Sequence, residues 1–376
     1  MIVCADTSIR MANEAFSQFG YVVLRRGREI ANTQLKDVGM LFVRSVTRVD
    51  EGLLKDTPVK FVGTATIGTD HIDTGYLRRE GIGFASAPGS NADSVAEYVV
   101  SALLAINKNS DFSGKTLGIV GFGNVGSRVC SRAQALGMRC LLNDPPKQES
   151  TGCDIFIKLP DLLQQADIVT VHVPLVTEGS YPTMHMIDER FLSMMKDGAI
   201  LVNTSRGNVA DEAAIINSRS RLGGCIIDVW QNEPQINEKL VSVADIATPH
   251  IAGYSIDGKL RGTKMIYDAA CAFTFQEKKW GPKGYTKEEN HYHIDLHDKE
   301  DPVFDAMQYV YPVMDDDGAL REVMGKKPDQ RGKLFDKIRE TYPDRYECFN
   351  YSVHPGEQQR AEADVLAALG FSVSGS

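Results

Sequence analysis

Nowhere does the chain hold a run of about 18 apolar residues, the length that a membrane-crossing helix needs, so neither a spanning segment nor a membrane partner is expected. It also lacks any cluster of Lys and Arg, and its formal net charge is −9. A face that neutralises nucleic-acid phosphates needs the opposite sign, which removes nucleic acid from the expected partners. The seven cysteines never fall into C-x-x-C spacing. The sequence therefore offers neither a zinc site nor a disulfide framework, and buried apolar positions are their expected use. The opening residues show no basic stretch leading into an apolar one, so no export signal is expected and the expected location is the cytoplasm.

What is present is the make-up of a globular protein. Of 376 residues, 43% are hydrophobic and 24% charged, a balance that folds rather than stays disordered. A chain this long exceeds one compact core, so two or three domains are expected. Short apolar runs at 1–4, 21–24, 39–44 and 59–64 alternate with helical patterning such as 9–19, which reads as a parallel α/β domain. Residues 93–107 form an amphipathic helical pattern with Val95, Val99, Ala102, Leu103 and Ile106 on one face. A second α/β block opens at 116–120 and continues through apolar runs at 139–143, 168–173, 199–203, 225–229 and 245–247. Six strands with helices between them fit a doubly wound nucleotide-binding sheet. The stretch 278–289 is rich in Gly, Pro, Lys and Glu and reads as a linker. A third unit of roughly ninety residues follows. The spacing of His291, His293 and His297 fits no compact metal-ligand pattern, and a solvated loop is expected there.

Gly121-Phe-Gly-Asn-Val-Gly126 sits between an apolar strand and a helical stretch. In such a loop the first glycine permits the turn, the second admits a pyrophosphate to the backbone, and the third lets helix pack on strand, while the helix start at Asn124 and Val125 faces the anion. A glycine turn used for packing alone gives the same letters. Asp144 lies 18 residues after Gly126, where a carboxylate would bind both ribose hydroxyls and repel a 2′-phosphate. Its plain alternative is a turn aspartate before Pro145-Pro146. Together the two features favour NAD over NADP.

Three further residues have the chemistry for oxidising a 2-hydroxy acid. His250 in Thr248-Pro-His-Ile-Ala-Gly-Tyr254 suits a base, since an unperturbed imidazole titrates near ~6.5. Glu233 in Asp228-Val-Trp-Gln-Asn-Glu-Pro234 suits the group that steadies that imidazole. Arg206 in Asn203-Thr-Ser-Arg-Gly207 suits bidentate binding of a carboxylate. Taken singly, each reads more simply as a cap, a turn or a surface loop. All three follow the C-terminal ends of successive strands, the edge at which α/β sheets bind ligands.

These motifs, in this order, resemble the D-isomer-specific 2-hydroxyacid dehydrogenase superfamily over about residues 1–275. The resemblance implies an α/β fold in which a Rossmann-like doubly wound parallel sheet and a flavodoxin-like substrate domain flank a cleft. The expected domains are 1–108 completed by 256–280 for substrate, 109–255 for NAD, and 290–376. It implies that Arg206, Glu233 and His250 are catalytic, and that Asp228, Thr204, Ser205 and Gly253 lie at the cofactor. Val173 stands at a cofactor position where relatives often carry Thr, which removes one hydrogen bond, and Ala210 replaces a usual Val. A narrower branch is similar through Val43-Arg-Ser-Val46, the stretch from Phe61 to His71, Asn143-Asp-Pro-Pro146 and Ile251-Ala-Gly-Tyr254. Its members oxidise 4-phospho-D-erythronate in pyridoxal phosphate synthesis. This branch implies substrate contacts at Ser45, Thr66 and Tyr254, and a smaller C-terminal α+β domain that makes a homodimer. Arg44 is a candidate for the substrate phosphate because guanidinium geometry matches a phosphoryl group, a surface salt bridge being the alternative. Two rival functions stay open: a dehydrogenase of the same superfamily for 3-phosphoglycerate or glycerate, and a catalytically idle NAD-responsive binding protein.

Overall fold

The structure is a computed structural model that describes residues 1–282, 292–356 and 358–374. Its chain divides into two compact units, one of Met1–Asn91 with Ser255–Glu289 and one of Ala92–Tyr254 with Asn290–Ser376.

The first unit is built on strands β1 (Ile2–Asp6), β2 (Tyr21–Arg25), β3 (Val38–Val43), β4 (Phe61–Thr64) and β5 (Gly83–Ala85). They form a parallel five-stranded sheet in the order β2-β1-β3-β4-β5, the flavodoxin-like arrangement. Its central strands are apolar on both faces because both are covered. Val3, Phe16, Phe42 and Phe61 pack with Ile266, Tyr267 and Ala270 of the returning helix Ile256–Thr274 on one side, and Leu35, Leu41, Val62 and Leu77 fill the other. Gly63 leaves room for the ring of Phe42 on β3: a Cβ there would lie 2.7 Å from that ring and 3.3 Å from Ile266 of the helix. Sequence patterning finds four of these strands. It misses β5, whose three residues follow Gly81 and give no alternation to detect.

The second unit carries β6 (Thr116–Val120), β7 (Arg139–Asn143), β8 (Ile168–Val171), β9 (Ile200–Asn203), β10 (Gly224–Ile227) and β11 (Ile246–Ala247) in a parallel sheet ordered β11-β10-β9-β8-β6-β7. A single bridge between Leu142 and Phe156 continues the sheet beyond β7. The remaining strands, β12 (Tyr292–Asp295), β13 (Tyr351–His354) and β14 (Ser372–Val373), form a small parallel sheet accompanied by four helices at Pro302–Val310, Val313–Met324, Pro328–Glu340 and Arg360–Leu369. His293 lies on β12 and His297 just past it, while His291 and the end of the 278–289 stretch fall outside the described residues.

The helix Ala92–Asn107 belongs to the second unit, so the boundary expected at 108 falls at Asn91. Its apolar face meets the nucleotide-binding sheet as its pattern predicts, but its polar side is also covered, by C-terminal residues. Ser101 Oγ donates to the Tyr311 carbonyl at 2.6 Å, and Ser94 Oγ donates to Glu347 at 2.7 Å. Arg345 Nη1 donates to Glu97 at 3.0 Å, with side-chain exposures of 6% and 1%. Tyr98 and Tyr311 pack edge to face with centroids 5.6 Å apart. One continuous core runs from Val99 and Ile251 to Val310 and Leu366. Asp317 accepts from the Ala247 amide at 2.8 Å, which satisfies a donor on the edge strand β11 that would otherwise await another chain.

Removing one member of a buried ion pair leaves the other uncompensated. Arg345→Met is therefore expected to lower the unfolding free energy by about 3–5 kcal/mol, read from the urea midpoint of the full chain. An unchanged midpoint would remove the pair from the interactions that hold the C-terminal segment in place.

Candidate active site

The site is assembled at the C-terminal ends of the second unit's strands. The glycine loop follows β6, and its three glycines have three different reasons. Gly121 has φ +91°, and a Cβ on it would lie 2.7 Å from the His172 carbonyl oxygen. A Cβ on Gly126 would stand 2.1 Å from the Gly121 oxygen, so helix Asn124–Ala135 can sit this close to β6 only with glycine there. Gly123 has nothing within 4 Å of its Cβ position. Packing does not account for it, and open space beside an uncapped helix start is what an approaching pyrophosphate requires.

Asp144, just past the end of β7, bears out its turn reading. Its Oδ1 caps helix Pro145–Thr151 by accepting from Lys147 N at 3.1 Å, and its Oδ2 accepts from the Phe122 amide at 2.8 Å. The carboxylate thus braces the glycine loop. Lys147, which the sequence reading overlooked, adds to this by donating from Nζ to the Phe122 carbonyl at 2.7 Å.

Past β9, Asn203 closes an Asx turn: its Oδ1 accepts from Ser205 N at 3.0 Å and Ser205 Oγ at 2.7 Å, and its Nδ2 donates to the Arg206 carbonyl at 3.3 Å. Arg206 is half-buried and donates from Nη1 to the Ser205 carbonyl at 2.6 Å. Gly207 lets this loop lie against the next one, since a Cβ there would be 1.9 Å from the Trp230 oxygen. Thr204 Oγ1 lies 3.2 Å from His172 Nδ1, and Thr170 Oγ1 lies 2.9 Å from its Nε2. Burial pushes the His172 imidazole down to about 3, so it is neutral. Val173 and Gly253 are half-buried in the loops past β8 and β11.

The loops past β10 and β11 meet through a carboxylate and an imidazole. His250 Nδ1 lies 2.8 Å from Glu233 Oε2 and 3.0 Å from Oε1. Burial pushes the Glu233 carboxyl up, but the charge and hydrogen bond of His250, the charge of Arg339 and the Trp230 amide outweigh it, and the net direction is down. His250 itself has φ +58°, an unusual conformation for a residue with a side chain. Asp228 holds it there. Only 1% exposed, Asp228 accepts from Thr248 Oγ1 at 2.7 Å, Ile251 N at 2.8 Å and Ala252 N at 3.1 Å. Burial raises its carboxyl, opposed by His250 and these donors. The resemblance places Asp228 at the cofactor; in the structure its oxygens are occupied in shaping the His250 loop.

Tyr254 packs edge to face on Tyr342 with centroids 5.6 Å apart, and its carbonyl accepts from Arg345 Nε at 3.0 Å. Ser45, Arg44 and Thr66 lie in the first unit. Ser45 is exposed and Arg44 half-buried. Thr66 Oγ1 donates to the Gly68 carbonyl at 2.9 Å and lies 2.8 Å from Thr64 Oγ1. Glu212, missed in the sequence reading, is buried and accepts from Gln231 N at 2.7 Å, which fixes the start of the Glu233 loop.

Over 386 aligned residues the chain is 42% identical to the erythronate-4-phosphate dehydrogenase of Salinibacter ruber (strain DSM 13855 / M31), covering 99% of this chain and 98% of the relative. It belongs to the erythronate-4-phosphate dehydrogenase family. The family's member from Shigella boydii serotype 4 (strain Sb227) is 41% identical over 379 residues, with the same 99% and 98% coverage. Residues 103–252 match the D-isomer specific 2-hydroxyacid dehydrogenase, NAD binding domain, and 289–370 match a domain family described as one of unknown function. Among solved structures, D-lactate dehydrogenase from Aquifex aeolicus complexed with NAD and lactic acid is 26% identical with a TM-score of 0.62, over 73% of this chain and 96% of that one. The NAD+-bound 3-phosphoglycerate dehydrogenase in Entamoeba histolytica, at 23% identity and a TM-score of 0.63 over 76% and 99%, attests to the fold. The chain is thus an NAD-dependent dehydrogenase, and the rival reading as an idle binding protein is not favoured. No helix among the described residues is long and apolar enough to cross a membrane.

The glycines separate ligand from packing. Gly123→Ala is expected to leave the melting temperature unchanged while weakening NAD binding by at least about tenfold, or ~1.4 kcal/mol; Gly126→Ala should lower the melting temperature. Calorimetry with NAD titration checks both. Retained NAD affinity in Gly123→Ala would mean that the open space has another purpose.

Proposed function

We propose that this chain oxidises 4-phospho-D-erythronate to 2-oxo-3-hydroxy-4-phosphobutanoate with NAD in the synthesis of pyridoxal 5′-phosphate, with Arg206, Glu233 and His250 as its catalytic residues. Full-length identity of 42% to a named member of the family supports the substrate. The observation that carries the chemistry is the 2.8 Å contact from His250 Nδ1 to Glu233.

With Nδ1 donating to the carboxylate, Nε2 is the nitrogen left to take a proton. His250 withdraws the C2 hydroxyl proton there, and Glu233 stabilises the imidazolium that forms. Arg206 binds the C1 carboxylate and orients the hydroxyl. The nicotinamide of NAD, when bound, would supply the acceptor for the C2 hydride. Gly121, Gly123, Gly126, Asn124 and Val125 would hold its pyrophosphate, and Asp144 its ribose, with Val173, Thr204, Ser205 and Gly253 lining it. The family resemblance supports Ser45, Thr66 and Tyr254 as substrate contacts and homodimerisation through the C-terminal residues; guanidinium geometry supports Arg44 for the substrate phosphate, and the proposed location is the cytoplasm.

Purified protein is expected to form NADH with 4-phospho-D-erythronate at a kcat/KM well above that with 3-phosphoglycerate or glycerate. A preference for either of the latter would transfer the assignment to that acid. His250→Ala should lower turnover by ~10²–10⁴ with NAD binding intact, and undiminished turnover would remove His250 from its role.

A further inference from the structure

One cation from outside the sequence motifs reaches this site. Arg339 lies on the helix Pro328–Glu340. That helix packs on the segment just past Glu233, where a Cβ on its Gly332 would stand 2.7 Å from Gln235 Nε2 and 3.5 Å from Pro234. The guanidinium carbon of Arg339 lies 5.8 Å from the centre of the Tyr254 ring and 5.7 Å from that of Phe335. Its positive charge favours the ionised form of Glu233. Arg339 Nε is shut from solvent and has no hydrogen-bond acceptor among the described residues. Burying a guanidinium with an unsatisfied donor costs stability, so a purely structural purpose explains the residue poorly.

We propose that Arg339 is a positioning residue, supplied by the C-terminal segment, that serves the Glu233–His250 pair and Tyr254. Over a catalytic cycle His250 alternates between neutral and charged. In the neutral phase it no longer offers Glu233 a full positive charge, and burial then favours a protonated, non-orienting carboxyl. Arg339 is a permanent cation, and its charge keeps Glu233 ionised through that phase. The other groups facing the pair are acidic: Asp228 lies beneath the His250 loop, and Glu212 lies behind the Glu233 loop. Glu212 and Glu233 disfavour each other's charge, and neither Asp228 nor Glu212 supplies a cation on this side. The same guanidinium lies against the ring of Tyr254, three residues beyond Ile251 on the loop that carries His250.

This rests on the reading of His250 and Glu233 as the catalytic pair. The full chain is compared as wild type, Arg339→Met and Arg339→Lys. Arg339→Met is expected to lower kcat/KM for 4-phospho-D-erythronate on the order of 10-fold to 10²-fold, with unchanged NAD affinity. Its acid limb should move to higher pH, because loss of the cation raises the pH at which Glu233 protonates. Arg339→Lys should bring the limb back. A pH profile of Arg339→Met superimposable on wild type would overturn the proposal, as would a loss of NAD affinity and stability that Lys does not restore. A ¹³C NMR titration of the Glu233 carboxyl in wild type and Arg339→Met needs no substrate. Titration at higher pH in the variant supports Arg339 even if the substrate assignment fails, and coincident titrations overturn it even if that assignment stands.

Discussion

A carboxylate cut off from water shapes this site. Asp228 sits at the end of β10 and takes three donors from the next loop: one hydroxyl and two consecutive amides. Hydrogen bonds to a charged acceptor contribute about 1.5–3 kcal/mol each, and they oppose the burial that raises this carboxyl. They also dictate a conformation. With Ile251 N and Ala252 N both directed at Asp228, the residue before them takes a left-handed backbone, and that residue is His250. Its ring then faces the loop past β10, where Glu233 meets it. The strain of a non-glycine residue at positive φ is retained because the surroundings over-determine it.

Neighbouring constraints act in the same way. The loop past β9 is closed by Asn203 and held against the Trp230 backbone because Gly207 has no side chain. Glu212 and Trp230 anchor the start of the Glu233 loop from opposite ends, the first through Gln231 N and the second through its indole Nε1, which donates to the Thr248 carbonyl at 2.8 Å. Each link is short and polar. The result is an imidazole, a carboxylate and an arginine borne on consecutive loops whose backbones are tied to one another, the arrangement that preorganised chemistry requires.

The C-terminal residues, whose matching domain family carries no function in its description, are integral to the second unit. They turn helix Ala92–Asn107 from an amphipathic helix into one buried around most of its surface, supply Arg345 to Glu97, and satisfy the edge of β11 through Asp317. Arg345 also reaches the Tyr254 carbonyl, and Arg339 lies against the Tyr254 ring. A segment without a recognisable motif thereby grips the loop that ends the nucleotide-binding sheet.

Local chemistry made much of this legible. Glycines before a helix, an aspartate after a strand, N-T-S-R-G and T-P-H act within a few residues of themselves, so their letters and the strand ends they follow suffice to place Arg206, Glu233 and His250 in the loops past β9, β10 and β11. Apolar periodicity likewise located six strands of the large sheet, because burial on both faces leaves unbroken runs of Val, Ile and Leu. The rest depended on separation along the chain. Whether Asp228 would face a ligand or the backbone of residue 251, whether Gly123 or Gly126 guarded open space, and which cation would stand behind Glu233 are matters of contact, and in the last case the partners lie about a hundred residues apart. Periodicity tells which face of an element is buried, and only the packed chain decides what it is buried against.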